Sequence, residues 1–207
     1  MTQAILTPEA SIIIPAPEYP LSNLETKVRW TSADLELLPE NNKRYEIIDG
    51  ELYMTRAPHN KHQDTCGNFY YELKAWSRLT GLGYAVIGAG LIFGENDDVI
   101  PDVIWMTQEK YAALIDDTGH FRGAPDIAIE VLSAGTENEK RDRELKLKLY
   151  SSRGVLEYWI ADWRSQQMQV YRRENGILKL AVTLFVTDVL TSPLLADFSC
   201  PLTQIFA

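Results

Sequence analysis

Two carboxylates in apolar surroundings are the first residues of this sequence that could do chemistry. Asp102 lies in the segment PDVIWM, and Glu130 lies among the apolar residues of PDIAIEVLS. Carboxylate and carbonyl oxygens are the ligands that hard cations such as Mg²⁺ prefer. If the two segments are neighbouring strands, both carboxylates and the backbone carbonyl of Val131 can bind one Mg²⁺ or Mn²⁺. Such an ion neutralises phosphoryl charge and activates water, as phosphodiester hydrolysis requires.

Lys146 is the cation that could complete such a site. It lies in the charged run EKRDRELKLKLY, which predicts a helix in which Asp142, Lys146 and Tyr150 share one face. A compact ammonium suits the orientation of an attacking water or the stabilisation of charge in a transition state. The spacing therefore predicts a site made by two strands and one helix.

The same residues also have ordinary structural explanations. Glu130 could form a structural ion pair with Lys146 or Arg143, and Asp102 could be a strand-end residue that accepts hydrogen bonds from turn amides. Asp, Glu and Lys occur at such loose spacing by chance in most chains of this size. The residue types alone leave both interpretations open.

Turn signals and hydrophobic periodicity predict one α/β domain over residues 30–207, preceded by an extended, proline-broken N-terminal arm over residues 1–29. A strand, a helix and a second strand, GVLEYWIAD, predict a parallel crossover in the second half. The predicted elements are a short helix capped by Thr31, a hairpin of residues 45–48 and 51–54, a helix over 61–79, adjacent strands over 84–93 and 99–106 with Asp102 inside the second, a strand over 127–132, the helix with Lys146, and a hairpin of 167–172 and 178–185.

Composition narrows the class of protein. The 207 residues are 45% hydrophobic and 24% charged, which is enough for one buried core. A net charge of −9 argues against nonspecific coating of nucleic acid, although a local basic face is compatible with it. The two cysteines, Cys66 and Cys200, lack metal-type spacing and favour a reducing, cytoplasmic location. The short apolar run near the start predicts no membrane span.

Five blocks of sequence occur in an order that resembles a known family. They are YEIIDGEL, PDVIWM, PDIAIEVLSAG, the helix with DRELK, and GVLEYWIAD. Over residues 30–190 the set resembles the bacterial Uma-type endonuclease family, long classed as a domain of unknown function. The resemblance implies the restriction-endonuclease-like fold of the PD-(D/E)XK superfamily: an α/β (α+β) core with a mixed central β-sheet flanked by helices, with additional β-hairpins.

The resemblance also implies roles for individual residues. The family's Asp falls on Asp102 and its Glu on Glu130. The superfamily's usual lysine position, two residues after the Glu, holds Leu132 in this chain, so Lys146 is the expected migrated lysine.

Accessory roles are weaker expectations from the same resemblance. Glu46 could be a second metal ligand or support one, or could be an exposed pairing residue of its strand. His62 could contact a phosphate or Glu46, or could be a surface residue of the helix. Asp142 and Tyr150 are the remaining accessory candidates.

The resulting hypothesis is a Mg²⁺- or Mn²⁺-dependent endonuclease that hydrolyses phosphodiester bonds in DNA, without another cofactor. A homodimer is compatible with the pattern. Two alternatives stay open: a catalytically silent, nuclease-derived binding or assembly protein, and a metal-dependent hydrolase of a small phosphorylated substrate. Intact Asp102, Glu130 and Lys146 count against the first alternative, and a narrow closed pocket would favour the second.

Overall fold

The computed structural model describes residues 28–39 and 43–207 of the chain. The strands are Arg44–Ile48 (β1), Glu51–Thr55 (β2), Gly83–Ile87 (β3), Leu91–Gly94 (β4), Asp97–Val99 (β5), Val103–Thr107 (β6), Ile127–Val131 (β7), Glu157–Asp162 (β8), Gln167–Glu174 (β9), Ile177–Phe185 (β10), Val189–Leu190 (β11) and Cys200–Pro201 (β12). The helices are Ser32–Leu35 (α1), Asn60–Thr80 (α2), Gln108–Leu114 (α3), Thr136–Lys140 (α4), Leu147–Arg153 (α5) and Leu202–Ile205 (α6), and a π-helical turn, Arg141–Lys146, joins α4 to α5.

A mixed six-stranded sheet forms the centre of the domain. Its strand order is β10-β9-β8-β7-β6-β3, and β7 pairs with β8 in parallel whereas the other neighbours are antiparallel. The chain passes from β7 to β8 through α4, the π-helical turn and α5. The predicted mixed sheet, the strand-helix-strand crossover and the C-terminal hairpin are confirmed.

A second sheet, of order β2-β1-β5-β4, contains the predicted N-terminal hairpin. The prediction of two continuous strands over 84–93 and 99–106 is wrong in one respect, because each divides into two strands that enter different sheets. The division lies where Gly88 takes a φ of +61°, and its amide donates to the Asp102 carbonyl at 2.9 Å. Asp102 therefore lies directly before β6 rather than inside a strand.

The two faces of the central sheet carry separate apolar cores. Ile127 and Ile129 of β7 pack on one face with residues of α2 and α6, whereas Ala128 and Leu132 pack on the other with residues of α5. Successive side chains of a strand point to opposite faces. The side chain of Glu130 is therefore directed into the α5 face, among apolar neighbours.

The N-terminal prediction is tested only in part. The predicted arm falls mostly on residues 1–27, which lie outside the described residues. The short helix α1 is confirmed, with the Asp34 carboxylate accepting from both the amide and the hydroxyl of Thr31 at 2.8 Å. No helix within residues 28–39 and 43–207 has the length and apolar character needed to cross a bilayer.

Candidate active site

The pairing of β6 with β7 brings the two predicted carboxylates to the same place. Val103 lies opposite Ile129 in this antiparallel pair, so the next step of the register sets Asp102 opposite Glu130. Asp102 Oδ2 also accepts a hydrogen bond of 2.9 Å from the Val131 amide. The structure thus meets the condition that the two segments be neighbours, at the edge where β6 begins and β7 ends.

Lys146 links this pair of strands to β1. Its Nζ lies 2.8 Å from Oε1 of Glu130 and 2.8 Å from Oε1 of Glu46. The Tyr150 hydroxyl donates to the same Glu130 oxygen at 2.9 Å, and the Ile100 amide donates to Glu46 Oε1 at 2.9 Å. The predicted ion pair between Glu130 and Lys146 is therefore present, and it lies inside the candidate site rather than apart from it.

The π-helical turn explains how so many side chains of one helix reach the cluster. Its hydrogen bonds run from i to i+5, so residues five apart come to lie on one face. Arg141, Asp142 and Lys146 are all buried. The helical spacing predicts a shared face for Asp142 and Lys146 but misses Arg141, because in a regular α-helix Arg141 and Lys146 would point about 140° apart.

His62 approaches the carboxylates from α2. It is buried, its Nε2 lies 3.3 Å from Asp102 Oδ2, and its Nδ1 lies 3.4 Å from the Cys66 sulfur. The expectation of a surface residue is wrong for His62, and its partner is Asp102 rather than Glu46. The ligand atoms of His62, Cys66 and Asp102 lie within 4.8 Å of one another.

Negative charge exceeds positive charge in this cluster. Among the described residues, Glu46, Asp102, Glu130 and Asp142 are all at most 9% exposed and face the buried cations Arg141 and Lys146. Burial raises the pKa of Glu130 well above its usual range. The charge of Lys146 acts to lower this pKa, but the negative charges of Asp102, Asp142 and Glu46 act to raise it. One more cation would relieve this repulsion.

Asp102 behaves differently from Glu130. Burial alone would raise its pKa, but the hydrogen bond and charge of His62, together with the Val131 amide, outweigh burial and lower the pKa. Asp102 is therefore ionised at neutral pH. The two opposing carboxyl groups thus have pKa values shifted in opposite directions.

Three of the four buried carboxylates, those of Glu46, Asp102 and Glu130, accept hydrogen bonds from the protein on one oxygen and not on the other. Glu130 receives both of its hydrogen bonds on Oε1. Asp102 receives its bonds on Oδ2, and its Oδ1 has only Arg44 at 4.0 Å. Glu46 receives its bonds on Oε1, and its Oε2 has only Arg141 at 3.9 Å. Within the described part of the chain, three carboxylates thus keep a second oxygen free of hydrogen bonds.

These residues line a small cleft of about 40 Å³. A mixed sheet with buried carboxylates at the junction of antiparallel and parallel strands, reached by a lysine, defines a restriction-endonuclease-like nuclease fold. The chain belongs to the Uma2 family, whose description reads "Putative restriction endonuclease" and whose model matches residues 32–203. The family and fold predicted from the five sequence blocks are confirmed.

A solved structure supports the same fold. It is described as the crystal structure of "a putative nuclease belonging to DUF820 from Anabaena variabilis ATCC 29413", and it matches with a TM-score of 0.69 and 18% identity over 85% of this chain and 97% of that chain. At this identity the likeness concerns the fold alone. No protein with curated annotation matches the sequence.

Proposed function

We propose that the protein is an endonuclease that hydrolyses phosphodiester bonds in DNA with a divalent metal ion. The observation that carries the proposal is the set of three carboxylates, each with one oxygen fixed and the other free of hydrogen bonds. All three residues line the cleft, so their free oxygens are placed to take a cation that binds there. The nuclease class itself rests on the family to which the chain belongs.

The donor atoms fit a hard cation. Asp102, Glu130 and the Val131 carbonyl would hold it, with Glu46 as a further ligand, and these oxygens suit Mg²⁺ or Mn²⁺. Burial raises the pKa of the Cys66 thiol, so this thiol carries its proton in the absence of a metal. When bound, the metal would neutralise charge on the phosphate and lower the pKa of a bound water.

Lys146 would act as a fixed positive charge. Burial alone would lower its pKa, but Glu130, Glu46 and Asp142 together raise it, so the ammonium keeps its proton. A permanently protonated lysine cannot accept a proton from water. Its role would be to orient the attacking water and to stabilise the negative charge that develops in the transition state.

The first test is metal-dependent cleavage. Supercoiled plasmid and single-stranded DNA should be cut in Mg²⁺ or Mn²⁺, and EDTA should stop the reaction. Asp102→Asn keeps an acceptor for the Val131 amide but removes the charge, and it should be inactive. Calorimetry should show metal binding to the natural chain and not to the variant. Metal binding without cleavage of any polymer would favour a small phosphorylated substrate, and no metal binding would favour a nuclease-derived binding protein.

Metal binding should also release protons. At pH values near the raised pKa of Glu130, a fraction of the molecules carries a proton on this group before the metal binds, and the metal requires the carboxylate. Apparent metal affinity should therefore rise with pH until Glu130 is ionised without metal. Calorimetry in two buffers of different ionisation enthalpy would measure the released protons. Equal heats in both buffers at a pH where the metal affinity still rises would contradict the assignment of Glu130 as a ligand.

Location and assembly are further proposals. Cys66 and Cys200 are both buried and unpaired, and we propose a reducing, cytoplasmic location on that basis. A homodimer stays a prediction, which sedimentation equilibrium would test.

A further inference from the structure

A groove of about 480 Å³ adjoins the acidic cleft. The two share lining residues from the end of β2, the start of α2 and the loop after β7, among them Arg56, His62 and Ser133. The volume falls in the range of small-molecule sites, about 300–1,000 Å³. A substrate held at the carboxylates would therefore extend into this groove.

Two stacked aromatic rings form one wall of the groove. The His59 ring lies on the Trp163 ring, with centroids 4.8 Å apart and planes 13° from parallel. The Trp163 indole donates to the Leu132 carbonyl at 3.2 Å, one residue beyond the proposed ligand Val131. His59 Nδ1 accepts from the Lys61 amide at 3.1 Å, and the residue is exposed. The stack is thus anchored beside the carboxylates and leaves an imidazole face accessible.

The groove differs from the cleft in the carboxylates of its lining, of which the cleft has four among the described residues and the groove none. The described residues that line it include Arg56 and Arg164 but no carboxylate, although the whole chain has a net charge of −9. Arg164 is held by Asp162 at 2.9 Å and Glu139 at 2.7 Å. Arg56 is exposed, and within residues 28–39 and 43–207 its guanidinium has no ion pair or hydrogen bond. Arg56 is therefore available to bind an anion such as a phosphate.

We propose that this groove binds one unpaired nucleotide next to the scissile phosphate, with its base stacked on His59 and its phosphate paired with Arg56. The inference rests on the proposed nuclease function and extends it to the state of the substrate. A base must leave its duplex to lie flat on the imidazole, and every base offers a π face to such a platform. The substrate is then single-stranded or locally unpaired at the cut, with little preference for base identity.

The test separates base stacking from phosphate binding. Two fluorescent probes are used: an oligothymidylate of about 12 nucleotides, which suits the roughly 4–16 nucleotides that single-strand sites cover, and an abasic deoxyribose-phosphate chain of the same length. Fluorescence anisotropy measures binding of each probe to the Glu130→Gln protein, which is expected neither to bind the metal nor to cleave, so the affinity reports the contacts in the groove. The variants Arg56→Gln and His59→Asn are added to this background. Asparagine retains a capping oxygen at the start of α2 but lacks the ring.

His59→Asn should weaken binding of the oligothymidylate by about 5- to 150-fold, the equivalent of about 1–3 kcal/mol per stacked base, and should leave the abasic chain unaffected. Arg56→Gln should weaken binding of both probes. Arg78→Gln is the matched control, because it removes an exposed arginine in the last turn of α2, at the opposite end of that helix from His59. It should change neither affinity.

Several results would overturn the inference: no binding of the oligothymidylate before substitution, full binding by His59→Asn, or equal affinity for the two probes. Cleavage assays on the natural chain distinguish the two proposals. If DNA is cut and His59→Asn cuts it equally well, the nuclease stands and the stacking site fails. If nothing is cut but binding depends on His59, the stacking site stands and the nuclease fails.

Discussion

Lys146→Met is expected to lower the free energy of unfolding by about 3–5 kcal/mol, as removal of one partner from a buried ion pair typically does. The ammonium lies 2.8 Å from both Glu46 and Glu130 and 4.0 Å from Asp142. Methionine matches its length but leaves these carboxylates with Arg141 as their buried cation among the described residues. Urea denaturation at neutral pH would measure the loss.

The loss of unfolding free energy in Lys146→Met should become smaller as the pH falls, because protonated carboxyl groups are neutral and are not stabilised by the charge of the lysine. Lys140→Met is the matched control: Lys140 ends α4 and is exposed, so its loss should change stability by no more than about 0.5 kcal/mol. Equal stability of the natural chain and Lys146→Met at neutral pH would mean that the carboxyl groups are already neutral and that the proposed charge balance is wrong.

Glu130→Gln should abolish cleavage without unfolding the protein. Glutamine keeps an oxygen that can accept from Lys146 and Tyr150 but cannot bind a cation as a carboxylate does. If the metal supplies several kcal/mol of transition-state stabilisation, cleavage should fall on the order of 10²–10⁴-fold. Metal titration by calorimetry should show no binding to this variant.

The stability of Glu130→Gln follows from the raised pKa of Glu130. Folding favours the neutral form of Glu130. The stability that this group contributes is therefore fully present below its pKa in the unfolded chain, and it is lost as the pH rises through its higher pKa in the folded chain. At neutral pH the variant should therefore melt no lower than the natural chain. Glu144→Gln, at an exposed position in the same π-helical turn, is the control that should keep full activity. Full cleavage by Glu130→Gln would exclude Glu130 as a metal ligand.

Much of the fold could be predicted because its signals are local. At the two hairpin turns, Asp49 and Gly50 take φ of 49° and 72°, and Asn175 and Gly176 take 51° and 85°. These are the positive values that Asp-Gly and Asn-Gly turns adopt most readily. The burial of Glu130 also follows from the apolar run that contains it.

Other features depend on contacts that the sequence does not display. The division of the strands near Gly88 requires its bond to the Asp102 carbonyl, which joins two segments whose apolar runs look continuous. Hydrophobic periodicity predicts an α-helix over the DRELK segment and therefore misses Arg141. The contact of His59 with Trp163 joins the start of α2 to the residue just after β8, and no local pattern links two positions so far apart in the chain.

The π-helical turn makes the site tolerant of one change in chain length and sensitive to the opposite one. An α-helix advances by about 100° per residue, whereas a turn with i to i+5 hydrogen bonds needs one residue more to cover the same angle. Loss of the exposed Glu144 would therefore let Arg141–Lys146 close into a regular α-helix with Arg141 and Lys146 on nearly the same faces. Insertion of a further residue cannot be absorbed in this way, and it would turn either Arg141 and Asp142 or Lys146 and Tyr150 away from Glu130 while leaving every one of them in the sequence.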